Sequence, residues 1–152
     1  MFDATVSWQS FLSLGQRFAV IPQISARVLV GNDSSLYLHN IVGGSLPGRY
    51  LDHQLAFVGL NNPLRVGDIA AIARLDLRYN FYGKFYLYLM ANYIASADHI
   101  SHLFSAQNDY HGTLGLGLRL AYDSPIGPVS LDLHHNDFNH SLGAYVNIGY
   151  VF

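Results

Sequence analysis

Histidine is the residue of this chain best suited to chemistry, with eight copies. His53, His99, His102, His111 and His140 fall between strongly patterned stretches, and His134 and His135 near the end of one. The run "HISH" sets His99 and His102 at close spacing, and neutral imidazole binds transition metals well. A metal centre needs further ligands at fixed spacing, and neither an acid nor a cysteine completes one. These side chains read as polar loop residues, and no metal is expected. Serine hydrolysis would need a G-x-S-x-G elbow between a strand and a helix. The stretches "GNDSS" and "GGSLPG" only echo it, so no catalytic residue is expected. Asp76 and Asp132 do not read as paired glycosidase-like carboxylates, and no phosphate loop or cofactor motif stands out.

The elements that carry these residues alternate with period two, the strand signature. In "GTLGLGLRLAYD", Leu114, Leu116, Leu118, Leu120 and Tyr122 face one way, with Thr113, Gly115, Gly117, Arg119 and Ala121 opposite. In "DIAAIARLDLRYN", Ile69, Ala71, Ala73, Leu75, Leu77 and Tyr79 share a face. Asp68, Arg74, Asp76, Arg78 and Asn80 share the reverse with Ala70 and Ile72. Strands are predicted over 3–13, 17–30, 35–43, 67–80, 84–96, 112–123, 127–136 and 141–152. Several exceed the roughly 5–6 residues of soluble strands and suit the ~9–11 needed to cross a bilayer at a tilt.

Apolar residues make up 51% of the 152, charged residues 12%, and mean hydropathy is +0.19. Charge is thus about half the ~25% of a globular domain, which excludes disorder. No run of about 20 apolar residues offers a spanning helix. A soluble all-β domain or a membrane barrel remains. The polar faces are rich in Gly, Ser, Asn and Thr and the chain has a single lysine, Lys84, which suits a lumen better than a solvated exterior. Tyr79, Phe81, Tyr82, Phe85, Tyr86, Tyr122, Tyr150 and Phe152 gather near strand ends, as an interfacial girdle would. Outer-membrane barrels have short periplasmic turns and long external loops. With Phe152 at the periplasmic end, 44–66, 97–111 and 137–140 are external, and "SPIG", "FYG" and "GNDS" periplasmic. A net charge of −2 without a basic run argues against nucleic acid. "MFDATVSWQSFL" lacks the features of a signal peptide, so the chain is expected to be a fragment or a processed form.

Segment 44–66, "GSLPGRYLDHQLAFVGLNNPLRV", and the following "GDIAAIARLDLRYNF" resemble the long inward-folding loop and next strand of the bacterial surface antigen barrels. "YDSPIGPVSLDL" resembles that superfamily's penultimate hairpin, and "YVNIGYVF" its C-terminal strand. The wording "PGRYLDHQLAFVGLN" looks most like the branch with a patatin-like phospholipase domain ahead of the barrel. The resemblance implies an all-β, antiparallel transmembrane barrel, with this chain as the C-terminal eight of sixteen strands. It implies a bacterial outer-membrane location and no catalysis here, since any hydrolase lies upstream. The implied partners are the bilayer, the barrel assembly machinery, and the N-terminal barrel half and patatin-like domain of the same polypeptide. A second copy is another candidate to close the sheet.

The family's loop carries an Arg-Gly-aromatic motif that reaches an acid in the lumen; here the order is Gly48-Arg49-Tyr50. A buried guanidinium strongly favours a carboxylate. Arg49, with Tyr50, is therefore expected to pin the loop to Asp76, the alternative being Asp76 paired with Arg74 or Arg78. "YLYLMANYIAS" lacks the acid often found on the next strand of the family. The resemblance also makes Tyr150 and Phe152 the strand-end signal read by the insertion machinery. Two other readings are an autonomous eight-stranded outer-membrane adhesin-like or structural protein, and a soluble lipid-binding barrel.

Overall fold

A computed structural model describes residues 2–30, 40–44, 54–60, 64–97, 111–137, 140 and 142–149. The strands are β1 (Phe2–Gln9), β2 (Leu12–Ser13), β3 (Phe18–Val30), β4 (Asn40–Val42), β5 (Leu64–Val66), β6 (Ile69–Tyr82), β7 (Phe85–Ala97), β8 (His111–Ser124), β9 (Gly127–Asn136) and β10 (Leu142–Ile148). A single antiparallel sheet runs β1-β3-β6-β7-β8-β9-β10, with β2 also on β3. β1 and β2 are one wall strand. The register passes from Gln9↔Gln23 to Leu12↔Val20 without a shift, and the gap lies opposite Pro22, which has no N–H for the ladder.

The described part of the stretch 35–43 is not in the wall, contrary to its alternation; residues 35–39 lie outside the described residues. That part, β4, pairs with β5 in a separate two-stranded ribbon, and β3 pairs directly with β6 from Phe18↔Tyr79 to Val28↔Ile69. Among the described residues the wall therefore has seven strands, with β1 and β2 counted as one. Loop polarity changes with it. Val28, Ile69 and Ala97 are successive register partners at one end of the wall, so the connection after β3 leaves from the same end as 98–110. "GNDS" was expected at the opposite, short-turn end; its own residues lie outside those described. The connections β2 to β3, β6 to β7 and β8 to β9 now fall at one end, and those after β3, β7 and β9, the first two of them long, at the other.

Sheet neighbours are antiparallel throughout, so β1 and β10, first and last of seven, run in the same direction. Among the described residues they do not pair with one another, and each leaves one edge open.

Burial is inverted relative to a water-soluble sheet. Leu75 and Leu77 are exposed while Arg74 and Asp76, their neighbours on β6, are buried. On β8 and β9, Leu116, Leu118, Leu120, Leu131 and Leu133 are exposed, whereas Asp132 is 0% and Asn136 1% exposed. Most of the wall thus turns its leucines outward and its polar groups inward. In water that would cost the hydrophobic driving force; in a bilayer it is the favoured arrangement. Near the short-turn end Phe18 stacks on Tyr79 at 4.5 Å, and Phe85 lies 4.7 Å from Tyr122. Tyr86 departs from the expected girdle: it is half-buried opposite Asn80, with the Arg78 guanidinium 5.1 Å above its ring.

Candidate functional site

The inner face carries three ion pairs beside an apolar patch. Arg74–Asp76 and Arg119–Asp132 lie from mid-wall toward the short-turn end, and Arg27–Asp3 lies at the long-connection end, where Arg27 is the register partner of Ala70. Arg27 meets Asp3 at 2.6 Å, Arg74 holds both oxygens of Asp76 at 2.7 and 2.8 Å, and Arg119 grips its cross-strand partner Asp132 through two bonds of 2.7 Å. Such forked, charge-assisted bonds offset the desolvation of both ions, which a lone buried charge could not do. Asn147 extends the last pair, its amide 3.3 Å from both Ser130 and Asp132.

Toward the long-connection end the inner face is apolar at Ala70, Ile72 and Ile94. Residues 54–60 cover it. Leu55, Phe57 and Leu60 pack there with Val42, sealing a small core on the otherwise polar side of the wall. The segment is held from two sides. β4 and its flank contribute backbone bonds: Leu55 N–H to Ile41 O at 2.9 Å, Gly43 N–H to Leu55 O at 3.1 Å and Phe57 N–H to Gly44 O at 3.0 Å. Gln54 also donates to Gly43 O.

The wall contributes side chains that satisfy the segment's backbone. Asn92 accepts from Val58 N–H at 2.8 Å and donates to Val58 O at 3.0 Å, the two bonds a neighbouring strand would make. Asn136 donates to Gly59 O at 2.5 Å and the Tyr145 hydroxyl to Leu60 O. Close approach requires Gly115 and Gly117 on β8. A Cβ on Gly115 would lie 1.9 Å from Val58 O, and one on Gly117 2.5 Å from Val58 Cγ1. Gly59 has φ +127°, open to glycine and rarely to other residues. Beside this dock, His134 stacks on Tyr145 with ring centroids 4.7 Å apart.

Along the β1 side, a cavity of about 480 Å³ lies between the docked segment and the wall, lined by Thr5, Ser7, Gln9, Gln23 and Arg74 among others. Leu55, Ala56 and Ile72 complete a mixed lining, which brings together no nucleophile, base and orienter among the described residues. No group of His, Cys, Asp and Glu suited to a metal ion occurs among the described residues.

Asp76 is the only member of the expected loop pin that the described residues include; its carboxylate takes the Arg74 fork, with Gln23 Nε2 at 3.4 Å. Arg49, Tyr50, Tyr150 and Phe152 lie outside them, as do His53, His99 and His102. The sequence reading missed Asn92, Asn136 and Tyr145 as docking residues. Ala70 and Ile72 on a polar face, and paired glycines on β8, were the signal that something packs there.

A long-stranded antiparallel wall with lipid-compatible leucines outside, ion pairs inside and a loop segment docked on the inner face defines a transmembrane β-barrel wall. The chain belongs to the OMP85 superfamily, whose family model matches residues 4–152. No curated protein and no solved structure matches it.

Proposed function

We propose that this chain is the C-terminal wall of an outer-membrane barrel that anchors, and passes material for, a domain carried on the same polypeptide. The observation that carries this reading is the inverted wall with two open edges, in a chain of a superfamily of outer-membrane assembly and translocation barrels. Bacterial single-chain barrels have an even number of antiparallel strands. Seven wall strands whose edge members run the same way need an odd number more. Nine upstream strands would complete the sixteen that the resemblance implies. A second copy in the same membrane orientation would bring β10 against β1 in parallel, so it is not the closing partner.

The wording of 47–61 supports a patatin-like domain as the passenger; the residues here would then serve as anchor and conduit, with no catalysis of their own. Arg49 is proposed to join Arg74 at Asp76, since a carboxylate can accept more than one guanidinium. The test is expression of the chain with and without the polypeptide encoded upstream. The longer form should give one heat-modifiable band in detergent and carry a G-x-S-x-G hydrolase. A closed, heat-modifiable monomer from these 152 residues alone would refute the reading.

A further inference from the structure

The outer face carries a groove of about 580 Å³ between β3, β6 and β7 near the short-turn end. Leu14, Phe18, Val20, Leu77, Leu87 and Leu89 line it, with Tyr79 stacked on Phe18. Its size falls in the range of small-molecule sites, roughly 300–1,000 Å³. The wall is hydrocarbon, so the occupant must present hydrocarbon over most of its length.

Charge fixes the rest of the occupant. Arg17 directly precedes Phe18, and its carbonyl accepts from Asn80 N–H at 2.8 Å, the residue after Tyr79. Lys84 sits in the turn joining β6 and β7, two of the groove's walls. Both cations lie just beyond the groove at the strand ends, within about 10–15 Å of the Tyr79↔Leu87 pair at ~3.3 Å per residue. Neither has an ion-pair partner among the described residues, whereas Arg27, Arg74 and Arg119 all do. Among the described residues Asp123 is the carboxylate at that end, beside Lys84, whose carbonyl accepts from the Asp123 N–H at 3.0 Å, though the two side chains form no ion pair; Asp68 and Asp137 lie toward the other.

We propose that this groove binds an anionic glycerophospholipid, with an acyl chain along Val20, Leu77 and Leu89 and its phosphate facing Arg17 and Lys84. The inference rests on the membrane reading of the wall. An aromatic pair at the acyl–headgroup boundary and two cations beyond it match the depth profile of one lipid in the leaflet at the short turns.

The test uses the full chain, with the upstream polypeptide where encoded, folded into vesicles of phosphatidylcholine containing phosphatidylglycerol. Retained lipid is then counted by native mass spectrometry. Phosphatidylglycerol should be retained over phosphatidylcholine, roughly fivefold per cation. Arg17→Gln with Lys84→Gln should abolish that preference while the protein still folds. Val20→Trp, which fills the groove and leaves both charges, should abolish retention of either lipid. Equal retention by the wild type, or a preference that survives the double substitution, overturns the site while leaving the membrane reading intact. Failure to enter vesicles of any composition overturns both.

Discussion

Asn92 and Gly115 decide whether residues 54–60 stay on the wall, because one supplies bonds and the other supplies room. Asn92→Ala leaves the Val58 N–H and C=O unpaired in a buried site, at about 1–3 kcal/mol each. The segment should become protease-sensitive at little change in strand content. Gly115→Ala should displace it more than Gly117→Ala, since the first meets rigid backbone and the second a side-chain methyl that can turn. Protection of 54–60 against protease, ranked wild type over Gly117→Ala over Gly115→Ala, is the expected order. Asp132→Asn strips Arg119 of its carboxylate in a site where Asp132 is wholly buried, and should cost about 3–5 kcal/mol in urea titrations. Asp76 was legible in the sequence as a polar-face acid, and the same period-two counting places Asp132, between Leu131 and Leu133, on the polar side. Arg74 was read only as an alternative partner of Asp76, beside Arg49 and Arg78, and Arg119 became the partner of Asp132 only through the β8–β9 register.

Strands were the most legible elements, because a side chain's face follows from parity alone. The faces read for β6 and β8 are those observed, with leucines outward. Parity is silent about pairing, and so 35–43 was placed in the wall although its described residues pair with β5. A short alternating stretch fits a ribbon as well as a wall, and what separates them is which strand lies beside β3. Removing that strand also brings the two long connections, after β3 and after β7, to the same end. At this scale, Leu118→Arg on the outer face of β8 should lower bilayer folding by about 2–4 kcal/mol if it lies near the midplane. Thr113→Ser, on the inner face of the same strand, should leave it nearly unchanged. Folding yield into vesicles, followed by gel mobility without heating, compares the two.

Over the whole molecule the membrane reading hangs on which side of the wall meets lipid. A soluble barrel would place the same alternation with its leucines inside, and sequence periodicity cannot tell these apart. The seven-strand count and the contacts of residues 54–60 were likewise invisible until pairing was known, since they depend on groups distant in sequence; an unclosed sheet and an inward-folding loop were implied only by the family resemblance. The chain has no cysteine, so single cysteines can be placed along β8 without background. Spin labels at Leu114, Leu116, Leu118, Leu120, Arg119 and Ala121, in the bilayer-folded protein, report collision with oxygen dissolved in lipid and with a water-soluble nickel chelate. The four leucine positions should be oxygen-accessible and shielded from nickel, with Arg119 and Ala121 showing lower oxygen access. Leucine positions shielded from both reagents, or reached by nickel, would contradict the inverted wall.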